Sequence, residues 1–130
     1  MKLLLDTCAI LWAVAEPQSL SSNSKRTISD PGAEIFVSMI SCAEIACAVE
    51  RRRIALDRHW KSWFRTYTEL NGWQSVPIDL EIMEEAYSLP EYSHRDPADR
   101  IIVATARKLH LHLVTADRRM LDYPHIETIW

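Results

Sequence analysis

A short apolar run near the start of the chain ends in an acidic residue, and this combination restricts the fold most. Leu3, Leu4 and Leu5 are followed directly by Asp6. A continuous apolar run bounded by a polar residue is typical of a central strand in a parallel sheet, which is buried on both faces. Asp6 then lies beyond the carboxyl end of the strand, where the working residues of open α/β sheets collect.

Further short strands alternate with helical segments along the rest of the chain. We predict strands at residues 2–6, 35–38, 74–78, 111–115 and 126–129. We predict helices at 7–15, 19–29, 41–53, 56–70, 80–88 and 97–109, with a single turn at 118–121. Such an order implies parallel strands joined by right-handed crossovers. The expected fold is an α/β domain of three layers (α/β/α), with a central parallel sheet of four to five strands between helices.

The size and charge of the chain narrow its possible functions. With 130 residues, the chain is too short for two ordinary domains, so we expect one domain spanning residues 1–130. A net charge of −3 and a pI near 5.9 exclude the broad basic surface of a typical nucleic-acid-binding module. Any polyanion must therefore be bound locally, by a metal ion and a few arginines.

The cysteines and the amino-terminal segment bear on the location of the protein. Cys8, Cys42 and Cys47 form neither a paired framework nor a zinc-binding spacing, which favours reduced thiols. The first residues imitate a secretory signal, but Asp6 splits the apolar run, and a strand followed by a helix explains the segment better. We expect a cytoplasmic protein without a membrane span.

Four acidic residues are predicted to meet at one edge of the sheet. Asp6 and Asp117 each follow a strand, whereas Glu44 and Asp99 lie near the starts of two helices. Carboxylates within about 4 Å of each other repel by roughly 4 kcal/mol per pair at an effective dielectric constant of 20. Protons or a cation must neutralise such a cluster, and hard oxygen ligands suit Mg²⁺ or Mn²⁺. The pattern therefore indicates a metal-dependent phosphodiesterase site.

Each of these acidic residues also has a purely structural interpretation. Ser41 and Glu44 match a capping box, and the segment Asp96-Pro97-Ala98-Asp99 matches a capped helix start with proline at its first position. Asp6 fits a helix cap, and Asp117 fits a turn residue. These interpretations explain the residues singly but not their joint placement.

Four segments of the sequence together resemble the PIN domain, and within that family the VapC-like ribonuclease toxins of toxin–antitoxin pairs. The segments are Leu3-Leu4-Leu5-Asp6-Thr7, Ser41-Cys42-Ala43-Glu44-Ile45, the stretch from His94 to Ala106, and Leu113-Val114-Thr115-Ala116-Asp117. Each segment is weak alone, but all four in this order are specific and cover nearly the whole chain. The resemblance implies a metal-dependent endoribonuclease that hydrolyses phosphodiester bonds in RNA through a metal-activated water. It also implies two protein partners, a cognate antitoxin and a second copy in a homodimer.

The resemblance also assigns site residues. It places four residues at the family's catalytic, metal-binding positions, where they hold one or two Mg²⁺ or Mn²⁺ ions: Asp6, Glu44, Asp99 and Asp117. Thr115 occupies a position whose hydroxyl supports the site. Asp96 is a second supporting candidate, or only the cap of its helix.

Basic and aromatic residues beside these positions suggest further contacts. Arg100 and Arg118, with Arg119 and His94 beside them, are candidates for phosphate contacts, and ordinary surface charge is the alternative. Arg51-Arg52-Arg53 ends a helix, where cations suit the helix dipole, so we interpret this run as a solvated helix end. An aromatic stripe on one helix face favours core packing or, in part, a groove for an inhibitor peptide or a second subunit: Trp60, Trp63, Phe64 and Tyr67.

Two other functions fit parts of the pattern. A catalytically silent PIN scaffold that binds RNA or protein would keep the same fold, although the presence of all four acidic residues disfavours it. A receiver-like or phosphatase-like domain would also place aspartates at strand ends. However, Cys8 stands where a phosphatase has a second aspartate, and Asp79 and Lys108 fit a receiver poorly.

Overall fold

The computed structural model describes all residues from 1 to 130 and contains one sheet of five strands. The strands are β1 (Lys2–Leu5), β2 (Glu34–Ser38), β3 (Gln74–Val76), β4 (His112–Val114) and β5 (Thr128–Ile129). Their spatial order is β3-β2-β1-β4-β5, and every neighbouring pair is parallel. The predicted parallel sheet is therefore confirmed, with β1 at its centre.

Helices connect the strands. They are α1 (Thr7–Ala15), α2 (Ser22–Ile28), α3 (Met39–Glu50), α4 (Trp60–Leu70), α5 (Leu80–Ala86), α6 (Pro97–Lys108) and α7 (Arg118–Leu121), with a short 3₁₀ helix at Pro17–Ser19. The longest helices have 12 residues, and none combines the length and apolar character that crossing a membrane requires.

The three leucines of β1 divide between the two faces of the sheet. Leu3, Leu4 and Leu5 are all fully buried. Leu4 belongs to a core cluster with residues of α5, α6 and α7, whereas Leu3 and Leu5 belong to a second cluster with residues of α1, α3 and α4. This division follows from the alternation of side chains along a strand. Helices therefore cover both faces, and the predicted three-layer fold is confirmed.

Two helices begin later in the chain than predicted, because their capping residues lie elsewhere. The helix predicted at residues 19–29 is α2 alone, which begins after Ser21, whose side chain accepts a hydrogen bond from the N–H of Ser24 at 3.0 Å. The helix predicted at residues 56–70 begins at Trp60, because the His59 ring accepts from the N–H of Lys61 at 3.2 Å.

The start of α3 corrects a further prediction. The cap of α3 is Ser38, whose hydroxyl accepts from the N–H of Ile40 at 3.2 Å, so the helix begins directly after β2. Ser41 lies inside the helix and is fully buried. The capping-box interpretation of Ser41 and Glu44 is therefore wrong, and the side chain of Glu44 has a different partner.

Candidate functional site

The four acidic residues predicted from the sequence line one cavity of about 300 Å³. Asp6 follows β1 and Asp117 follows β4, and these two strands are parallel neighbours whose carboxyl ends open at the same edge. Glu44 lies in the second turn of α3, and Asp99 lies in the first turn of α6. The topology thus brings together carboxylates from four separate segments of the chain.

Asp6 is the most buried of the four, with 7% of its surface exposed. One carboxylate oxygen accepts from the N–H of Ala9 at 2.7 Å and caps α1, while the other accepts from the hydroxyl of Thr115. Burial raises the pKa of Asp6 to about 6 although both hydrogen bonds lower it, and the charges of Asp99 and Asp117 raise it further. The cap interpretation of Asp6 is correct but incomplete, because the same side chain also faces the cavity.

Thr115 connects two of the carboxylate positions. Its side chain is completely buried, and its hydroxyl donates to Asp6. The same oxygen accepts from the backbone N–H of Asp117 at 3.0 Å. Thr115 therefore fixes Asp6 and the chain leading into Asp117 relative to each other, which is the geometry that a supporting residue needs.

Glu44 is held by Thr7, a residue to which the sequence analysis assigned no role. The hydroxyl of Thr7 donates to Glu44 and lies 2.9 Å from the hydroxyl oxygen of the buried Ser41. Burial raises the pKa of Glu44, the Thr7 hydrogen bond lowers it, and the charges of Asp99 and Asp96 raise it. The only sequence signal for this contact is the hydroxyl residue directly after Asp6.

Asp99 is held by His94, which the sequence analysis named only beside the candidates for phosphate contacts. The Nε2 atom of His94 is hydrogen-bonded to Asp99, and its Nδ1 atom lies 3.0 Å from a guanidinium nitrogen of Arg119. Because a guanidinium only donates, Nδ1 accepts, and Nε2 therefore donates to the carboxylate. Burial raises the pKa of Asp99, the His94 hydrogen bond lowers it, and the charge of Asp96 raises it.

Asp117 differs from the other three carboxylates. It caps α7, accepting from the backbone N–H of Arg119 at 2.9 Å, and the Arg119 guanidinium lies 3.4 Å away. Partial burial raises its pKa, but the hydrogen bonds and charge of Arg119 outweigh that effect and leave the pKa below its ordinary value. Asp117 is therefore the carboxylate of the cluster that ionises most readily.

Asp96 does not line the cavity, but a carboxylate oxygen of Asp96 lies within 4.8 Å of ligand atoms of both His94 and Asp99. Asp96 is exposed and caps α6, accepting from the N–H groups of Ala98 at 2.9 Å and Asp99 at 3.4 Å. This is the cap predicted from the sequence, and it positions the first turn of α6, in which Asp99 lies.

Arg100 and Arg118, the two main candidates for phosphate contacts, have different surroundings. The Arg100 guanidinium donates to the carbonyls of Ala86 and Tyr92 and lies 5.2 Å from the ring centroids of both Tyr87 and Tyr92. The predicted phosphate contact of Arg100 does not fit this geometry, because these contacts hold the group against α5 and the segment before α6. Arg118 is exposed at the first position of α7, next to Asp117.

The electrostatics of the cavity favour a bound cation. Burial and mutual repulsion raise three of the four carboxyl pKa values, and the repulsion also reaches a neighbouring thiol. Desolvation by the surrounding atoms and the charges of all four carboxylates raise the pKa of Cys8 to about 11, although the residue is exposed at the rim of the cavity. A divalent cation would relieve this repulsion, and a donor set made only of carboxylate oxygens suits Mg²⁺ or Mn²⁺.

Comparisons with known proteins agree with the predicted resemblance. The model of the PIN domain family matches residues 3–126. The chain is also similar to Ribonuclease VapC22 of Mycobacterium tuberculosis, with 36% identity over 129 residues, covering 98% of this chain and 97% of that protein.

Solved structures share the fold. VapBC2 from Rickettsia felis, bound to a DNA fragment from its promoter, matches with a TM-score of 0.72 and 14% identity over 99% of this chain and 98% of that one. A toxin–antitoxin complex from Klebsiella pneumoniae matches with a TM-score of 0.66 and 22% identity over 98% of this chain and 96% of that one. At these identities the likeness establishes the fold alone.

Proposed function

The chain belongs to the PIN domain family, and we propose that it is a metal-dependent endoribonuclease, the toxin of a toxin–antitoxin pair. The observation that supports this function best is the convergence of four carboxylates in one cavity, three of them with raised pKa values. Such a cluster is costly for a fold unless it binds a cation. The similarity to a ribonuclease over nearly the full length of both chains supports RNA as the substrate.

We assign the binding of one or two Mg²⁺ or Mn²⁺ ions to Asp6, Glu44, Asp99 and Asp117. A metal bound there would lower the pKa of a coordinated water and stabilise the charge that develops on the phosphate during hydrolysis. The residues around the carboxylates fix their orientation: Thr115 holds Asp6, Thr7 holds Glu44, and His94 holds Asp99. Loss of such an outer partner typically lowers metal affinity or activity by about 10- to 100-fold.

Cys8 is the only cysteine that lines the cavity, and its properties argue against a covalent mechanism. A thiol reacts as a nucleophile in its thiolate form. Without a bound cation, desolvation and the carboxylate charges raise the pKa of the Cys8 thiol to about 11, so the thiol is protonated near neutral pH. Hydrolysis by water therefore fits this cavity better than attack by a protein side chain.

We further propose an antitoxin protein and a second copy of the chain as partners, with residues 1–130 acting as a single domain. Support for the antitoxin comes from the structural neighbours, which include toxin–antitoxin complexes. Arg118 is the remaining candidate for a phosphate contact, because it is exposed beside Asp117 and its side chain has no partner in the structure.

Cleavage of a mixed pool of structured RNAs tests this function. The purified protein is incubated with Mg²⁺, Mn²⁺ or EDTA, beside the Asp99→Asn variant, which keeps the size of the side chain and removes its charge. We expect cleavage with either metal, none with EDTA, and a loss of at least about 100-fold in the variant. Absence of cutting by the parent under every condition would instead favour a catalytically silent scaffold.

A further inference from the structure

A basic segment at residues 51–65 contrasts with the rest of this acidic protein. It holds six of the 15 lysines and arginines and one of the 18 acidic residues, so its formal charge is +5 and that of the remaining residues is −8. All six basic side chains are exposed: Arg51, Arg52, Arg53, Arg58, Lys61 and Arg65. The segment follows α3 and extends through the first turns of α4.

Arg52 occupies a backbone position that normally selects glycine. The N–H of Arg52 bonds to the carbonyl of Val49 at 3.0 Å, and the N–H of Arg53 bonds to the carbonyl of Ala48 at 2.9 Å. These two bonds form a Schellman motif, in which the residue after the helix cap takes a left-handed conformation and is usually glycine. Arg52 has φ 57°. An arginine there is strained, since only glycine adopts this conformation freely.

The helix dipole alone does not explain this arginine run. A cation near a helix carboxyl end interacts favourably with the dipole, but Arg51 and Arg53 already supply that charge without the strained backbone of Arg52. His110 takes the same left-handed position after α6, with φ 55°, so the backbone conformation alone does not assign a function to Arg52. The side chain of Arg52 is exposed, so no packing within the protein selects it.

A groove of about 800 Å³ runs along this segment. Three arginines line it together with two aromatic rings and an apolar floor: Arg52, Arg53, Arg58, His59, Trp60, Ile54 and Leu56. The rings of His59 and Trp60 lie 5.3 Å apart, and the Lys61 ammonium lies 5.6 Å from the Trp60 ring centroid. Trp60 is half-buried, so part of its ring faces the groove.

We infer that this groove binds single-stranded RNA outside the active site. The inference rests on the proposed ribonuclease function and extends the substrate contact of that enzyme. Exposed arginines suit phosphates, and partly exposed aromatic rings suit stacked bases, which is how sequence-tolerant binding to single strands generally works. Charge complementarity favours this occupant, because three arginines and only one acidic residue, Glu50, line the groove, and it lies along the basic segment of an otherwise acidic chain.

The distance from the active site sets a minimum length for such RNA. α3 ends at Glu50, which lines the groove and is six positions beyond Glu44, about 9 Å along the helix axis. A strand with a spacing of about 3.4 Å per nucleotide would need about three nucleotides to span that distance.

Binding measurements separate this groove from the catalytic site. Fluorescence anisotropy of a labelled 20-nucleotide single-stranded RNA is followed with the full chain containing Asp99→Asn, so that the RNA stays intact. The groove variant is Arg52→Gly with Arg53→Gln and Arg58→Gln. A matched control removes three exposed cations from the ends of α2 and α6: Lys25→Gln, Arg26→Gln and Lys108→Gln.

We expect the groove variant to bind at least 10-fold more weakly and the control to bind within about 2-fold of the parent. The slope of log affinity against log salt should decrease in magnitude by about 2 in the groove variant, since each lost phosphate contact removes about 0.7. Arg52→Gly alone should raise the melting temperature while weakening RNA binding, which distinguishes a lost contact from damage to the fold.

Equal affinities and salt slopes for the groove variant and the control would overturn the inference, as would absence of RNA binding by the parent. In that case an acidic segment of a protein partner would be the better occupant. These outcomes are independent of cleavage, because a protein with the native Asp99 that binds RNA through the groove without cutting it would contradict the proposed nuclease and still support RNA binding by the groove.

Discussion

Asp6 and Asp79 have the same local structure at the ends of two different strands. Asp6 follows the central strand β1, and Asp79 follows the edge strand β3. Each caps the next helix by accepting a hydrogen bond from the N–H three residues on, from Ala9 at 2.7 Å and from Ile82 at 2.9 Å. Capping preference alone would therefore assign both residues the same role.

The surroundings of the two aspartates are different. The second oxygen of Asp6 accepts from the buried Thr115 of the neighbouring chain segment after β4, and Asp6 shares its cavity with three other carboxylates. Asp79 is exposed and makes only the cap contact. A capping aspartate therefore becomes part of a site through its neighbours across the sheet, which an edge strand such as β3 has on one side only.

The largest difference between the two aspartates should be in the effect of their substitution on the rate of RNA cleavage. Asparagine caps a helix as well as aspartate does but has no charge, so Asp6→Asn and Asp79→Asn both preserve their helices. We expect Asp6→Asn to reduce the initial rate of RNA cleavage by at least about 100-fold, because it removes a proposed metal ligand, and Asp79→Asn to leave the rate unchanged. Equal cleavage rates for the two variants would show that Asp6 contributes no more to catalysis than Asp79 does.

The pH dependence of stability should show the same contrast in metal-free protein. Because the pKa of Asp6 is raised from 3.8 to about 6 in the folded state, the folded protein binds more protons than the unfolded chain between these values. The Asp6 contribution to the unfolding free energy therefore falls as the pH rises through this range.

The Asp6→Asn variant has no carboxyl group at this position, so its unfolding free energy does not fall in this way as the pH rises. Above pH 7 we expect the variant to be more stable than the parent by up to about 3 kcal/mol, since one pKa unit corresponds to about 1.4 kcal/mol. Urea unfolding with EDTA at pH 5 and pH 8 measures the difference, which should be largest at pH 8. A variant less stable than the parent at pH 8 would contradict the burial of an uncompensated charge.

Thr115 tests whether the support of Asp6 is as important as its charge. Thr115→Val removes the hydroxyl that contacts Asp6 and Asp117, and we expect a 10- to 100-fold loss, in order of magnitude, in metal affinity and cleavage. Thr105→Val is the matched control, because Thr105 is equally buried but donates to the carbonyl of Ile101 within α6. Cleavage by the control should stay near that of the parent.

The smallest predicted effect is on the unfolding free energy and comes from Asp79, whose side chain only caps α5. Asp79→Ala should lower the unfolding free energy by about 1 kcal/mol through the lost hydrogen bond to Ile82, without changing cleavage. Urea unfolding midpoints and initial rates measure the two quantities. A simultaneous loss of activity would show that the edge strand also contributes to the site.

The sequence predicted the sheet and the acidic cluster because both depend on short-range signals. The leucines of β1 and the alternation of strands and helices indicate a parallel sheet, and the carboxyl ends of its strands then share one edge. The PIN resemblance is confirmed over residues 3–126. The assignment of the four carboxylates to metal binding stays a proposal.

Partners that are distant in the chain could not be predicted in this way. Ser38 and Ser41 both precede plausible helix starts, and only the length of β2 decides that Ser38 is the cap. With that choice, Glu44 turns toward Thr7, 37 positions earlier in the chain. The contact of His94 with Arg119 likewise joins residues 25 positions apart. Such pairs follow from packing of whole elements, not from local patterns.

Direct measurement of metal binding tests whether the four carboxylates form one cation site. Calorimetric titration with Mn²⁺ compares the parent with the Asp6→Asn and Asp79→Asn variants. We predict saturable binding of one or two ions by the parent, unchanged binding by Asp79→Asn, and a loss of at least about 100-fold in affinity for Asp6→Asn. Absence of binding by the parent, or equal weakening by both variants, would contradict the claim.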